Sequence, residues 1–133
     1  MKTATNYRRE RWDWMERFCR KIVVMISVIL IGANTAWANP LDGQVVSGSV
    51  RFDTQGNTLN ITNSPNSIIN WRSFSIGANE TTRFIQQNSA SSVLNRIYGQ
   101  DPSQILGTLQ SNGRVLLINP NGIIFGKGSR VDV

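Results

Sequence analysis

From residue 39 onward the sequence predicts an all-β fold, and three observations predict it. Short apolar runs recur at close intervals, separated by Asn, Gly, Ser, Asp or Pro. Where a run alternates, it has the two-residue period of a strand. Thr58-Leu59-Asn60-Ile61-Thr62 sets Leu59 and Ile61 on one face. Helical periodicity is all but missing, so the pattern leaves a sandwich, a barrel or a solenoid open. No exact internal repeat decides among them.

The chain opens differently. Residues 1–38 begin with a basic segment containing Arg8, Arg9, Arg11 and Arg17, continue through an apolar stretch from Ile22 to Ala33, and reach Ala36-Trp37-Ala38. Basic, apolar and small-residue parts in that order are a secretory signal, with cleavage by signal peptidase expected after Ala38. A membrane span needs about 20 apolar residues, and this stretch is well short of that. The basic part is longer than such a signal requires; a start at Met15 would give an ordinary one. The boundaries are therefore 1–38 for the signal peptide and 39–133 for the exported part.

After Ala38 the composition shifts to Asn, Ser, Gly and Thr with interspersed Val, Ile, Leu and Phe. Gln44-Val45-Val46 and Ser49-Val50-Arg51-Phe52 read as strands joined at Gly48. Asp53 to Asn57 reads as an Asx-type turn rather than a calcium loop, because repeated carboxylate ligands are missing. The Leu59–Ile61 strand follows, then a turn over Asn63 to Asn66, then Ile68-Ile69-Asn70-Trp71. Trp71 is expected in the core rather than on the surface as a sugar platform. Phe74 and Ile76 share a face, and so do Phe84 and Gln86 beyond the break at Gly77-Ala78-Asn79. Ser89 to Tyr98 is ambiguous, since Val93, Leu94 and Ile97 also suit a short helical turn. Asp101-Pro102 marks a loop. Beyond it Ile105 and Leu109 point inward, and Ser111-Asn112-Gly113 turns again.

Charge and residue inventory narrow the function. The formal net charge is +6, but seven of the fourteen Lys and Arg lie in residues 1–38. The exported part keeps seven basic against five acidic residues with no cluster, which argues against nucleic acid as a partner. Histidine is absent and the one cysteine, Cys19, lies in the leader. The exported part therefore offers no disulfide, thiolate site or imidazole base, and neither metal nor cofactor is expected. Asp42, Asp53, Glu80, Asp101 and Asp132 do not pair locally, and the serines lack a base. The chain does not read as an enzyme. A carbohydrate-active enzyme would have to bring Asp53 or Asp101 to a second carboxylate across the fold.

The last nineteen residues organise the rest. Val115-Leu116-Leu117-Ile118 is too short for a helix and strand-like, and Ile123-Ile124-Phe125 repeats the pattern. Between them Asn119-Pro120-Asn121-Gly122 forms a tight corner. Pro120 fixes its own φ and biases Asn119 to an extended backbone, while Asn121 and Gly122 tolerate positive φ. Arg130-Val131-Asp132-Val133 reads as a strand in progress with no polar cap.

Asn119-Pro120-Asn121-Gly122-Ile123, followed by Ile124-Phe125-Gly126-Lys127-Gly128, resembles the NPNGI signature of the two-partner secretion (TPS) domain. That domain opens filamentous-haemagglutinin-like exoproteins and adhesins. Ile68 to Gly77, Leu94-Asn95-Arg96 and Gln104-Ile105-Leu106-Gly107 agree with it in the family's order. A second Asn-Pro-Asn motif found in part of the family is only echoed by Asn63-Ser64-Pro65-Asn66, and no role is carried over to that segment. The resemblance implies a right-handed parallel β-helix, here a truncated one of about four coils, with asparagines laddering between coils. It also implies a route. The chain crosses the inner membrane by the general export channel, meets the periplasmic domains of an outer-membrane barrel transporter, and folds at the surface or in the medium of a Gram-negative-type bacterium. Asn119, Pro120, Asn121, Gly122 and Ile123 are the residues expected to matter for export. They act either by direct recognition of the extended chain or as a turn that nucleates folding. A host surface would be met through a region downstream. The alternative is an adhesin or carbohydrate-binding module acting through this region itself.

Overall fold

The computed structural model describes residues 39–133. The signal-peptide reading, with its cleavage site at Ala36 and Ala38, lies outside the described residues. The described residues form a β-solenoid of three turns with no helix.

The first turn holds β3 (Thr58–Asn63), β4 (Ser67–Trp71) and the extended segment through Phe74 and Ile76. The second holds β5 (Thr81–Ile85), β6 (Ser92–Ile97) and β7 (Ser103–Ile105). The third holds β8 (Thr108–Ser111), β9 (Arg114–Ile118) and β10 (Ile123–Phe125), after which β11 (Arg130–Asp132) starts another layer on β8. Pairing between successive turns is parallel and in register. Thr58 lies beside Thr81, Thr81 beside Thr108, and Thr108 beside Arg130, so the chain advances 23, 27 and 22 residues per turn. Those unequal steps explain why no sequence repeat is visible: the corners differ in length while the strands stay aligned.

The amino end departs from the expectation of about four coils. β1 (Gln44–Ser47) and β2 (Val50–Gln55) run antiparallel to β4 and β3 and form a cap, not a coil. The reversal comes from a two-residue hairpin in which Gln55 pairs with Thr58. Gly56, at the first central position, has φ 56°, as a type II′ turn requires. The strand therefore continues through Asp53, whose carboxylate accepts a bond from Gln55 Nε2 at 2.9 Å, and the Asx-turn reading is corrected. The cap closes one end of the solenoid. Phe52 meets Trp71 edge-on at 5.5 Å, and Gly43 lies so close that an added Cβ would fall 2.6 Å from the Trp71 ring.

Alternation decides the interior. Leu59, Ile61, Ile69, Trp71, Phe74, Ile76, Phe84, Ile105 and Leu109 are all buried, as their periods require. Gln86 is buried beside Phe84's face. Within Ser89 to Tyr98 the stretch Ser92–Ile97 is strand: Val93, Asn95 and Ile97 turn inward and Leu94 outward. A helical turn would have put Val93, Leu94 and Ile97 together, but parallel pairing with Ile68 to Trp71 on one side and Arg114 to Ile118 on the other imposes the two-residue period. Trp71 lies in the core, 2 % exposed, and an aromatic row runs from it through Phe74 to Phe84.

In place of the expected asparagine ladder, one buried asparagine bridges the turns. Asn95, fully buried, accepts from Trp71 Nε1 at 2.9 Å and donates to the Leu116 carbonyl at 3.3 Å, so it joins all three turns. Asn95→Ala would leave a buried indole N–H and a carbonyl without partners. It is expected to cost about 2–3 kcal/mol, read as a lower denaturation midpoint with an unchanged denaturant slope.

Candidate functional site

The corner Asn119 to Ile123 joins β9 to β10 in the third turn. The Gly122 amide donates to the Asn119 carbonyl at 3.1 Å, closing a four-residue turn. Asn at the first position, Pro at the second and Gly at the fourth are the preferences of a type I turn. Of the two residues that tolerate positive φ, Gly122 adopts it, at 101°, and Asn121 does not. An added Cβ on Gly122 would meet nothing within 4 Å, so glycine is needed there for its backbone and not for space.

Both asparagine side chains are engaged within the fold. Asn119 Nδ2 donates to the Asp101 carbonyl and to Ser103 Oγ, each at 3.0 Å. Its Oδ1 accepts from the Asn121 amide at 2.9 Å and from Asn121 Nδ2 at 3.2 Å. Asn121 Nδ2 also reaches the Gly99 carbonyl at 2.8 Å. The Ser103 amide donates to the Gly122 carbonyl at 3.0 Å, the first rung of the parallel β10–β7 pair. The corner is thus stapled onto the loop Gly99 to Ser103 directly beneath it in the second turn. Ile123 packs half-buried against the core, while Pro120, Asn121, Ile124 and Phe125 are exposed.

The receiving loop was visible in the sequence only as a break at Asp101-Pro102. Neither Gly99 nor Ser103 carries a signature of its own in the sequence, although a Gly/Asp/Pro/Ser cluster one turn upstream of the motif is the available signal. Gly99 is fixed in place: a Cβ there would overlap the main-chain carbonyl oxygen of Arg72 in the first turn. Ser103 is buried. Contacts therefore run from the motif through Gly99 to the first turn.

The echo at Asn63 to Asn66 occupies a different corner. Asn66 takes φ 60° and accepts from Ser92 Oγ at 2.8 Å, and Ser64 exchanges bonds with Ser49 of the cap. The next corner is also held by amides. Gln86 donates to Ser111 Oγ and the Arg114 carbonyl, and Asn112 bonds both main-chain groups of Gln86.

The acids stay apart. Asp42 pairs with Arg72 at 2.7 Å, Glu80 accepts from the Gly77 amide at 2.9 Å, and Asp132 lies 3.8 Å from Arg130. Asp53 is on β2 and Asp101 is in the corner loop, so the fold does not bring these two together. Among the described residues no group of three Asp, Glu, His or Cys side chains is placed to hold a metal.

Comparison with known proteins adds three findings. A family model described as the TPS secretion domain matches residues 36–133. Two heme/hemopexin-binding proteins of Haemophilus influenzae, one from strain Rd, are 39 % and 32 % identical over 116 and 117 residues. Those alignments cover 82 % and 84 % of this chain but 13 % of each relative, so the chain spans about an eighth of their length. Among solved structures, the HMW1 secretion domain from Haemophilus influenzae superposes with a TM-score of 0.69 at 43 % identity. That match covers 70 % of this chain and 25 % of the other.

Proposed function

Because the chain belongs to the family of TPS secretion domains, we propose that residues 39–133 serve the export of an exoprotein through a dedicated outer-membrane transporter, and that Asn119 to Ile123 act by locking the third turn onto the second. The observation that carries this reading is the use of both asparagine side chains. Their amides bond the Asp101 and Gly99 carbonyls and Ser103 Oγ, groups brought within reach only when the second turn has formed. In an extended chain those groups lie 16 to 22 residues away and the motif has nothing to hold. The motif is therefore a folding clasp, favoured over an address read directly by the transporter.

A clasp suits the direction of transport. The transporter takes an extended segment, which can add as a strand to an exposed sheet edge. Each turn that closes on the far side removes chain from the pool able to slide back, since closure buries apolar side chains and satisfies corner amides together. Reaching the transporter requires prior passage through the general export channel and removal of residues 1–38 by signal peptidase. Amino-terminal sequencing of the exported material is expected to begin Asn39-Pro40-Leu41.

The heme and hemopexin named for the relatives are not carried over, because the shared stretch is 13 % of those proteins. No catalytic role is assigned. The export reading is tested by removing the transporter: full-length exoprotein is expected to accumulate in the periplasm, and undiminished release would overturn it.

A further inference from the structure

We infer that the outward face of the five-stranded sheet is a binding site for an extended, uncharged oligosaccharide lying across the strands. The sheet runs β11-β8-β5-β3-β2, and its register sets outward side chains in rows. Asp53, Asn60, Arg83, Gln110 and Asp132 stand in one row, and Thr58, Thr81 and Thr108 in another. Two grooves of about 360 and 380 Å³ cut this face, a size within the range of small-ligand sites.

The grooves meet at Ile85 on the middle strand, which lines both. One extends over β2 and β3 with Arg51, Asp53 and Asn60; the other extends over β8 and β11 with Arg83, Gln110 and Asp132. Together they cross all five strands. Each presents one guanidinium, one carboxylate and two side-chain amides, Gln55 and Asn60 in one and Gln110 and Asn112 in the other, so the same set of forked donors and acceptors occurs twice.

That inventory selects the ligand. Each groove is lined by one Arg and one Asp, with Arg130 standing 3.8 Å from Asp132, so the two signs are interleaved along the face, whereas a phosphate-rich or sulfated chain needs a field of one sign. Hydroxyl groups in adjacent pairs suit forked guanidinium, carboxylate and amide partners. Ile85 is 43 % exposed among these polar rows, where the apolar face of a sugar ring would cover it. The face is remote from the Asn119 corner in the chain's topology and owes nothing to the export reading.

The purified chain would be titrated with cellohexaose, laminarihexaose and chitohexaose, with hexagalacturonate as the charged control and glucose as the short one, following amide NMR signals. At least one neutral hexasaccharide is expected to move the signals of Asn60, Arg83, Ile85 and Gln110 while glucose does not. Ile85→Asp is expected to weaken that binding roughly tenfold without lowering the melting midpoint. Arg83→Ala gives the same readout if the first variant unfolds. Failure of all three neutral chains at millimolar concentration, shifts confined to other faces, or preference for hexagalacturonate would overturn the inference.

Discussion

Replacing Asn119 with Ala in the full-length exoprotein is expected to stop release to the medium while the periplasmic form accumulates. The side chain donates to Asp101 and Ser103 and accepts from Asn121, all within the fold. A hydrogen bond contributes about 0.5–1.5 kcal/mol net, so the variant loses about 2–3 kcal/mol of third-turn stability. For a domain of this size that lowers the melting midpoint by about 4–8 °C per kcal/mol. Asn121→Ala removes the bond to Gly99 and is expected to act in the same direction with a smaller effect. The double variant should fall short of the sum, because the bond from Asn121 Nδ2 to Asn119 Oδ1 is lost in each single variant and would be counted twice. Undiminished release from both single variants would remove the corner from the export mechanism.

Gly99→Ala is expected to block release as Asn119→Ala does, although every residue of the motif is intact. The new Cβ would overlap the Arg72 carbonyl oxygen, a backbone atom that no side-chain rotation can clear. Overpacking of this kind costs about 1–3 kcal/mol and shifts the backbone of the loop. The shift moves the Gly99 carbonyl that receives Asn121. Protease resistance of the second and third turns should fall together. Ser103→Ala, which removes one acceptor of Asn119 without adding bulk, should give a weaker defect of the same kind. The graded pair separates loss of the clasp from general misfolding.

Much of this architecture was legible in the residues. The inward set from Leu59 to Leu109 followed from two-residue alternation, and the corner at Asn119 followed from turn chemistry. Ser89 to Tyr98 was not legible, because Val93, Leu94 and Ile97 fit either period and only the neighbouring strands choose between them. The cap is illegible for a related reason: β1 and β2 have the same composition as coil strands, and their direction depends on one glycine at position 56. At the candidate site the motif could be read and its receptor could not. Asp101 and Gly99 act through main-chain carbonyls, which carry no residue signature, and one turn of the solenoid lies between donor and acceptor.

The claim that the corner works in the folded coil and not as an address meets its most direct test in capture of the unfolded chain. Wild-type chain and the Asn119→Ala, Asn121→Ala double variant would be diluted from denaturant onto immobilised periplasmic domains of the transporter, and the captured fraction measured before either can fold. A clasp predicts equal capture of the two, with the variant failing only at release. Loss of capture by the variant would show that the transporter reads these side chains itself, and would contradict the account.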